Sequence, residues 1–328
     1  MKSRISAARA TVLTLLCLAV PAAALAADAD YPAKPVRLIV PFAAGGATDI
    51  FGRLVANELS QSLHQPFVVE NRPGGGGNIG SNVVASAAPD GYTLLLGAAG
   101  NIAINPGLFK NMPFDPIKDL SPVALAGSSI NVLVVPASLP AASVQDLIAL
   151  AKSKPGALNY ASSGNGGTTH LAAEMFKTMA DVDILHVPYQ GSGPAMIDLL
   201  AARVDLMFDN LPSALPKVQS GELKALGVTG SARSQSMPDV PTVAEAGVPG
   251  FEATTWFGIF APAGTPQPIV DKLNAAVNAA LDKPEIIARL DSMGAEAKPT
   301  TPAAFAELVA TDTRKWGEVI RQANISID

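Results

Sequence analysis

The chain has 328 residues, a formal net charge of −5 and no cluster of lysine and arginine that could follow a phosphate backbone, which argues against a nucleic-acid partner. Its single cysteine and three histidines argue against a disulfide framework and against a metal site of clustered His and Cys ligands. At the usual ~100–200 residues per domain, this length predicts two domains with substantial cores.

The first 26 residues have the three parts of a secretory signal peptide. A basic segment, an apolar segment and a small-residue cleavage signal follow one another at Lys2–Arg9, Val12–Val20 and Ala24–Ala26. The apolar segment is too short to span a membrane, and Cys17 lacks the small preceding residue of a lipoprotein site. Cleavage after residue 26 would leave 302 of the 328 residues, and the loss of three basic residues would shift the net charge from −5 to −8. We therefore predict an exported, cysteine-free chain.

The first unit of the exported chain predicts a strand, a loop and a helix. Val36–Val40 is a short apolar run, and the apolar residues after position 49 recur at helical spacing. Between them, Ala43–Ala47 has almost no side chains, so backbone N–H groups are unscreened where a helix N-terminus leaves its first donors unpaired. Such a loop suits an anion. Thr48 or Asp49 is expected to cap the helix, and for Asp49 a structural role weighs at least as much as ligand contact.

The same pattern continues along the first lobe. Pro66–Glu70 and Thr93–Gly97 predict two more strands, and the glycine loop Gly74–Gly77 precedes a helix that begins near Ile79. Apolar strands that alternate with helices are typical of a parallel sheet covered on both faces, with ligands at the carboxyl ends of the strands. Residues 99–122 contain four prolines and are expected to be irregular.

A second lobe is predicted to follow a crossing at Gly127–Ser129, which separates two apolar runs. Its expected elements are helix Val144–Lys152, strand Leu158–Ala161, helix Thr169–Met179, strand Ile184–Val187, helix Ala195–Ala201 and strand Val204–Phe208. Lys224–Val228 is predicted to be the return crossing. An aromatic strand and three helices then return to the first lobe, at Thr254–Phe260, Pro268–Leu281, Pro284–Met293 and Pro302–Ala323.

These elements predict an α/β protein with a discontinuous first lobe. The first lobe would comprise residues 27–126 and 225–328, and the second lobe residues 127–224. Gly127 and Gly227 are expected to absorb a hinge rotation at the two crossings. The cleft would lie between the lobes, lined by small-residue loops.

Two other functions are tested by the residues. Gly75–Gly80 matches a dinucleotide fingerprint, but the next strand ends in Gly97-Ala98 and offers no acid for the ribose hydroxyls. A triad of Ser163, His170 and Asp209 would place serine and histidine on one short loop and helix, without a nucleophile elbow. Binding is therefore preferred to catalysis.

Several segments, in this order, resemble the Bug (Bordetella uptake gene) family of extracytoplasmic solute receptors across the exported chain. They are YPAKPVRLIVPFAAGGATDIFGRLVA, VVENRPGGGGNIGS, APDGYTLLLG, NYASSGNGGTTHLAAEMFK, HVPYQGSGPAMIDLLAARVDLMFDN and FGIFAPAGTPQPIVDKLN. The resemblance implies a type II periplasmic binding protein fold, a Venus flytrap of two parallel-sheet lobes with a two-crossing hinge. It also implies a small ligand, often a carboxylate, delivered to the two membrane subunits of a tripartite tricarboxylate transporter.

Carried onto this chain, the family's ligand loops give a set of expected binding residues: Phe42, Ala43, Gly45, Gly46, Thr48, Asp49, Gly74, Gly75, Gly76, Ser162, Ser163, Gly164, Gly166, Gly167, Thr168, His170, Tyr189, Gly191 and Asp209. Position 75 is Gly where the family often has Ala. Backbone N–H groups near Gly46 and Gly166, both expected to need positive φ, would hold the anion. Arg72 would either clamp a carboxylate or pair with a nearby acid. Asp209 could accept a ligand ammonium or hydroxyl group.

The residues and the resemblance together set the remaining expectations. We expect a monomer in the Gram-negative periplasm, with no cofactor, no metal and no nucleic acid. The alternatives are an exported hydrolase and a sensory or orphan receptor without a dedicated transporter.

Overall fold

The structure is a computed structural model that describes residues 31–322. The predicted signal peptide lies outside the described residues. Ten strands form two sheets that are continuous through one long strand, β4. The strands are β1 Val36–Val40, β2 Phe67–Asn71, β3 Thr93–Ala98, β4 Leu120–Pro136, β5 Asn159–Ser162, β6 Leu185–Pro188, β7 Leu206–Asn210, β8 Leu223–Val228, β9 Thr254–Pro262 and β10 Ala295–Glu296.

Helices cover the sheets and connect most of the strands. They are α1 Ala47–Ser62, α2 Asn78–Ala85, α3 Asn105–Leu108, α4 Val144–Ser153, α5 Thr168–Ala180, α6 Ser192–Leu200, α7 Leu211–Gln219, α8 Gln267–Leu281, α9 Pro284–Ser292 and α10 Pro302–Gln322. A 3₁₀ turn at Gly75–Gly77 and a π turn at Gly100–Ile104 add to these. No helix within residues 31–322 is both long and apolar enough to cross a membrane.

The two sheets repeat one strand order. The first sheet runs β2-β1-β3-β9-β4, with β10 on the far side of β4. The second runs β6-β5-β7-β4-β8. In each sheet the first three strands are parallel, and their carboxyl ends lead into the helices α1 and α2, or α5, α6 and α7. This architecture is the α/β periplasmic binding protein fold that the sequence predicts.

The sheets are mixed, which corrects the prediction of parallel-sheet lobes. β9 is antiparallel to both β3 and β4, and β4 is antiparallel to both β7 and β8. The reason is that β4 passes from the first sheet into the second without turning. The two apolar runs around Gly127 are therefore halves of one strand, and Gly127 lies at a bulge with φ +149°.

The predicted return crossing at residues 225–228 is wrong. This segment is part of β8, which pairs with Val132–Pro136 of β4 in the second sheet. The chain then stays with the second lobe, because Val243, Val248 and Phe251 pack in that lobe's core. It crosses back only at the start of β9. Gly227 therefore lies inside a sheet and not at a hinge.

Two further segments differ from the predictions. Residues 99–122, expected to be irregular, contain the π turn and α3, because Pro106 stands at the start of α3, where no N–H is needed. Helix α7 was not predicted, since it contains Pro212 and Pro216. Pro212 lies in its first turn, whereas Pro216 lies inside the helix, where it has no N–H to donate to the Pro212 carbonyl.

Each lobe has its own apolar core. In the first, Phe51 of α1 stacks on Phe257 of β9 with ring centroids 4.4 Å apart, and α8 and α9 add buried residues to the same cluster. Phe305 of α10 packs edge-on against Trp256. In the second lobe, the buried rings of Phe176, Phe208 and Phe251 pack together. These cores hold the loops at the carboxyl edges in place.

Candidate ligand-binding cleft

The carboxyl edges of the two sheets face each other and touch. The N–H of Ala43, in the loop after β1, donates to the carbonyl of Gln190, in the loop after β6, at 2.8 Å. Beside this bond, a Cβ on Gly193 would stand only 2.1 Å from the carbonyl oxygen of Ala44. The described state is therefore closed, and the lobes meet backbone to backbone.

A small cavity of about 20 Å³ lies between the lobes, and we call it the deep cavity. Both lobes line it. The lining residues are Phe42, Ala43, Gly46, Ala47, Thr48, Asp49, Ala98, Gly100, Ser163, Gly167, Thr168, Ser192, Asn210 and Thr255.

Three helices begin at the wall of the deep cavity. The N-caps of α1, α5 and α6 are Gly46, Gly167 and Gly191, and none has a side-chain capping hydrogen bond. The first N–H groups of a helix have no intrahelical acceptor, and the helix dipole places partial positive charge there. Because the N-caps have no side chain, these donors stay uncovered. The cavity wall is therefore built to receive a negatively charged group.

Three threonine hydroxyls add to these donors. Thr48 lies in the first turn of α1, Thr168 in the first turn of α5, and Thr255 in β9, and all three line the deep cavity. Within residues 31–322 no hydrogen bond to protein occupies these hydroxyls, so each can donate to a bound oxygen.

An outer cavity of about 190 Å³ lies next to the deep one. Phe42 and Ser163 line both. The other walls are Gly74, Gly75, Gly76, Gly77, Phe109, Gly164, Asn165, Pro188, Tyr189 and Gln190. Gly74–Gly77 has positive φ at all four residues and runs into the N-terminus of α2. The N–H groups of Gly77 and Ile79 donate to the Gly74 carbonyl, and the Asn78 N–H donates to the Gly75 carbonyl. The N–H groups of Gly75 and Gly76 are therefore the donors that this loop has left for a second anion.

A larger cavity, about 400 Å³, lies away from both carboxyl edges. It is bounded by the β4 crossing, residues 230–236 and the C-terminal end of α9. Its two cations, Arg233 and Lys298, are already paired with Glu245 and Glu296, and the C-terminal end of a helix disfavours anions. We therefore place the ligand cleft at the two smaller cavities.

Asp49 braces the loop before α1. Its carboxylate accepts hydrogen bonds from the Gly45 N–H at 3.1 Å, from Arg53 Nε at 3.0 Å and from Asn71 Nδ2 at 3.0 Å. Burial acts to raise the pKa of Asp49, but the hydrogen bonds from Arg53, Asn71 and Gly45 outweigh it and hold that pKa below its ordinary value. Asp49 is thus an anion already paired within its own lobe. The predicted N-cap at Thr48 or Asp49 is wrong, because the N-cap of α1 is Gly46, which lies two residues before Thr48 and three before Asp49.

Arg72 pairs with an acid and does not line either cavity. Its guanidinium contacts Glu70, which also accepts from Arg37 at 2.7 Å, and the Arg72 side chain is 53% exposed. The sequence left two roles open for Arg72, a clamp for a ligand carboxylate or an ion pair with a nearby acid. The structure shows the ion pair, with Glu70.

Replacing Arg72 should therefore leave ligand binding nearly intact. We expect Arg72→Gln to change the dissociation constant less than about threefold, below ~0.7 kcal/mol, because an exposed ion pair that lines neither cavity contributes little. Calorimetric titration would measure this, with Arg37→Gln as the matched control at the same acid. A hundredfold or greater loss of ligand affinity in Arg72→Gln, but not in Arg37→Gln, would show that Arg72 binds the ligand's carboxylate directly.

The loop between β5 and α5 rests on a buried stack of rings. His170 and His186 stack with centroids 4.2 Å apart, and Tyr160 continues the stack at 4.7 Å from His186. Gly166 donates its N–H to His170 Nδ1 at 3.3 Å, and Ser162 Oγ lies 2.6 Å from His186 Nε2. Burial lowers the pKa of His170 to about 4, and burial followed by the neighbouring His170 lowers the pKa of His186 to about 3. The rings are therefore neutral supports behind the loop.

Asp209 lies behind the cavity wall. It is fully buried and accepts hydrogen bonds from Ser192 Oγ at 2.6 Å, from the Asn210 N–H at 2.9 Å and from the Ser213 hydroxyl. Burial raises its pKa above the ordinary aspartate value. Ser192 lines the cavity and Asp209 does not, so the structure does not place Asp209 in contact with a ligand.

The three residues weighed as a triad have other partners. Ser163 Oγ pairs with Thr169 Oγ1 at 2.9 Å, His170 accepts from Gly166, and Asp209 is held by two serines. Within the part of the chain that the structure describes, no group of three or more His, Cys, Asp and Glu residues could hold a metal ion.

The expected binding residues separate into three groups. Thirteen line one of the two cavities: Phe42, Ala43, Gly46, Thr48, Asp49, Gly74, Gly75, Gly76, Ser163, Gly164, Gly167, Thr168 and Tyr189. Three glycines instead pack against the opposite lobe: Gly45, Gly166 and Gly191. Three side chains support the loops from behind: Ser162, His170 and Asp209.

Gly46 and Gly166 differ in a way that the sequence did not reveal. Gly166 has φ +80°, and a Cβ there would stand 1.9 Å from Asn105 Oδ1 of the first lobe. Gly46 has φ −88° in an extended conformation, so the expectation of positive φ there is wrong. A Cβ on Gly46 would lie 3.2 Å from Ser192 Cβ. Both glycines therefore allow close approach of the lobes.

Some lining residues were not predicted. Ala98 and Gly100 form another small-residue run directly after a strand, a signal equal to that of Ala43–Gly46. Phe109 follows α3 in a segment expected to be irregular. Nothing in the sequence around Thr255 indicates a binding residue. It reaches the cavity because β9 is inserted beside β4, where Thr255 pairs with Ser129.

Comparison with known proteins agrees with this geometry. Residues 51–325 match the Tripartite tricarboxylate transporter family receptor. Protein BugT of Bordetella pertussis is 39% identical over 307 residues, which cover 93% of this chain and 94% of BugT.

Two solved structures from Rhodopseudomonas palustris are also similar. Rpa4515 with adipate is 41% identical with a TM-score of 0.88, covering 90% of this chain and 100% of that one. MatC with bound malate is 38% identical with a TM-score of 0.85, covering 88% of this chain and 100% of that one. With its two-lobed fold, its carboxyl-edge cleft and these matches, the chain belongs to the tripartite tricarboxylate transporter receptor family, as a Bug-type solute receptor.

Proposed function

We propose that this receptor captures a small dicarboxylate in the periplasm, between the deep and outer cavities, and presents it to the membrane subunits of a tripartite tricarboxylate transporter. The observation that carries the proposal is the convergence of the N-termini of α1, α5 and α6, contributed by both lobes, on the deep cavity. An anion there would be held by donors from two bodies, so its binding favours closure.

The cavity walls favour an anion although they have no cation. Within residues 31–322, no Lys, Arg or His lines either cavity, and the acid Asp49 is already paired. Backbone donors in a site shielded from water can still stabilise a carboxylate, because the local dielectric constant is low and the dipoles are already oriented. The absence of a charged clamp makes the fit depend on shape and on N–H access.

Two separate donor sets support a ligand with two carboxylates. The second is the pair of N–H groups of Gly75 and Gly76, in the positive-φ run on the outer cavity, which have no acceptor within the loop. Phe42 and Ser163, which line both cavities, would flank the chain that joins the two carboxylates. The relatives with adipate and with malate, both dicarboxylates, fit the same class.

Ligand entry requires the lobes to separate. The deep cavity, at about 20 Å³, has room for little more than one water molecule. Opening would break the bond between Ala43 and Gln190 and widen both cavities. Asn131 and Thr229, joined by hydrogen bonds of 2.8–3.1 Å beside the start of β9, would form the pivot.

The test is a thermal-shift and titration series on the exported form. We expect the protein to bind at least one compound among the C4–C6 dicarboxylates and their 2-hydroxy derivatives. At a free concentration 100 times its dissociation constant, that ligand should stabilise the folded protein by about 2.7 kcal/mol. Conversion of either carboxylate to an amide should weaken that ligand at least tenfold, because the amide lacks the charge that helix N-termini favour. Equal binding of the acid and both amides would contradict the proposal.

A hydrolase and an orphan receptor are the alternatives. Recovery of chemically altered ligand after incubation, abolished by Ser163→Ala, would favour the hydrolase. Capture of the ligand without interaction with membrane subunits encoded beside the receptor would favour the orphan. We propose a monomer, because both donor sets come from one chain.

A further inference from the structure

Ser192 gives the deep cavity a wall of different character. It is the first residue of α6, is 4% exposed and lines the cavity. Its Oγ lies 3.6 Å from the point where a Cβ on Gly46 would stand. Ser192 therefore sits opposite the N-terminus of α1, within reach of a group bound there.

The hydroxyl proton of Ser192 is already in use. Ser192 Oγ donates to Oδ1 of the buried Asp209 at 2.6 Å, and Asp209 Oδ1 also accepts from the Asn210 N–H at 2.9 Å. A serine hydroxyl has one proton to donate and two lone pairs that accept. What Ser192 offers to the cavity is therefore an acceptor.

This assignment holds in both protonation states of Asp209. As a carboxylate, Asp209 accepts the Ser213 hydroxyl at Oδ2. If it is protonated, its proton can sit on Oδ2 and be donated to Ser213, whose own proton then goes to the Asn210 carbonyl at 2.9 Å. With the proton on Oδ2, Oδ1 accepts from Ser192 and from Asn210 as it does in the carboxylate.

The other polar groups of the deep cavity are mainly donors. The donors are the N–H groups at the starts of α1 and α5 and the hydroxyls of Thr48, Thr168 and Thr255. Asp49, Ser163 and Asn210 also line the cavity, but the Asp49 carboxylate already accepts three hydrogen bonds, Ser163 Oγ pairs with Thr169, and Asn210 Nδ2 donates to Asn131. A carboxylate would satisfy these donors and leave the Ser192 acceptor facing the ligand without a partner. A buried acceptor without a partner costs free energy.

We propose that Ser192 selects dicarboxylates with a hydroxyl group beside the carboxylate held in the deep cavity, that is, 2-hydroxy dicarboxylates. The inference rests on the proposed function, since it assumes that a carboxylate occupies this cleft. An ammonium group at the same carbon could also donate a hydrogen bond to Ser192, but the positive ends of three helices disfavour a positive charge there. The hydroxy acid is therefore the better partner for Ser192.

The first comparison uses the unaltered protein and matched ligand pairs. Titration calorimetry would compare malate with succinate, 2-hydroxyglutarate with glutarate, and 2-hydroxyadipate with adipate, in both enantiomers. We expect the hydroxy acid of the best-fitting length to bind at least tenfold more tightly than its deoxy partner. Aspartate, glutamate and 2-aminoadipate form the ammonium arm and are expected to bind more weakly than the hydroxy acids.

The second comparison assigns the preference to Ser192. In Ser192→Ala, with the native fold checked by circular dichroism, the hydroxy acid should bind less than about threefold more tightly than the deoxy acid. The affinity for the deoxy acid should not change. Ser163→Ala is the matched control. Ser163 also lines the cavity, but its Oγ pairs with Thr169, so this change should weaken both members of a pair alike and keep the ratio of their affinities.

Each outcome decides a separate point. Equal binding of hydroxy and deoxy acids by the unaltered protein overturns the inference and leaves the proposed function standing. A preference for the hydroxy acid that survives Ser192→Ala overturns the role of Ser192. Tighter binding of the amino acids than of the hydroxy acids overturns the proposal that the group facing Ser192 is a hydroxyl. No binding of any dicarboxylate overturns the proposed function itself.

Discussion

Gly193→Ala is expected to lower ligand affinity at least a hundredfold, about 2.7 kcal/mol, without harming the fold. A Cβ at this position would stand 2.1 Å from the carbonyl oxygen of Ala44 in the opposite lobe. Because that atom belongs to backbone, the contact is relieved only by separating the lobes. Separation breaks the bond between Ala43 and Gln190 and withdraws one lobe's donors from the ligand.

The variant should fold because Gly193 is the second residue of α6 and has no positive φ. Alanine forms helices better than glycine, by up to about 1 kcal/mol in a helix interior, so the free energy of unfolding should stay or rise. Gly317→Ala in α10 is the matched control, since its Cβ would find no atom nearer than 3.8 Å. X-ray scattering at saturating ligand should show compaction of the Gly317→Ala variant and none of Gly193→Ala. Normal affinity and normal compaction in Gly193→Ala would show that closure does not bring these loops into contact.

The second large effect is a loss of stability in weak acid through the histidine stack. Between about pH 6.5 and 4 the unfolded chain binds protons at His170 and His186, whereas burial keeps both rings neutral in the folded protein. The unfolded state then binds more protons, so the free energy of unfolding decreases as the pH falls. His170 alone, with its pKa lowered to about 4, accounts for roughly 3 kcal/mol over this range.

Two measurements check this expectation. Urea unfolding between pH 7.5 and 4.5 would give the loss, and replacing His170 by Gln should flatten the curve, whereas His64→Gln, at an exposed position outside the stack, should not. Nuclear magnetic resonance would follow the rings directly. Titration of either His170 or His186 in the folded protein above pH 6 would contradict the burial of neutral rings beside Glu174 and Lys177.

The sequence predicted the parts of the fold that depend on local pattern. The strand, loop and helix at Val36–Ser62 appear where the apolar periodicity changes, and the helices at the tail begin at prolines that suit a first turn. It did not predict the mixed sheets, because nothing local distinguishes β9 as an insertion between β3 and β4. The continuity of β4 through Gly127 was hidden for the same reason: a glycine bulge and a loop look alike in sequence.

The candidate site divides in a similar way. Small-residue loops after strands were sufficient to find most of the cavity walls, because such loops uncover backbone donors. They could not separate a glycine that faces a ligand from one, such as Gly166, that faces the other lobe. Polar residues were harder still. Ser192 was not among the expected binding residues and Asp209 was, although the structure places the serine at the cavity and the aspartate behind it.

The long strand β4 ties the stability of the two lobes together. Its first half pairs with β9 and, at Ser128 and Ser129, also with β10, and its second half lies between β7 and β8. If one lobe unfolds, half of this strand loses its hydrogen-bonded neighbours while the other half is still central to the remaining sheet. The lobes are therefore separate in geometry but coupled in unfolding, and a destabilising change in either one weakens the cooperative unit that carries both walls of the cleft.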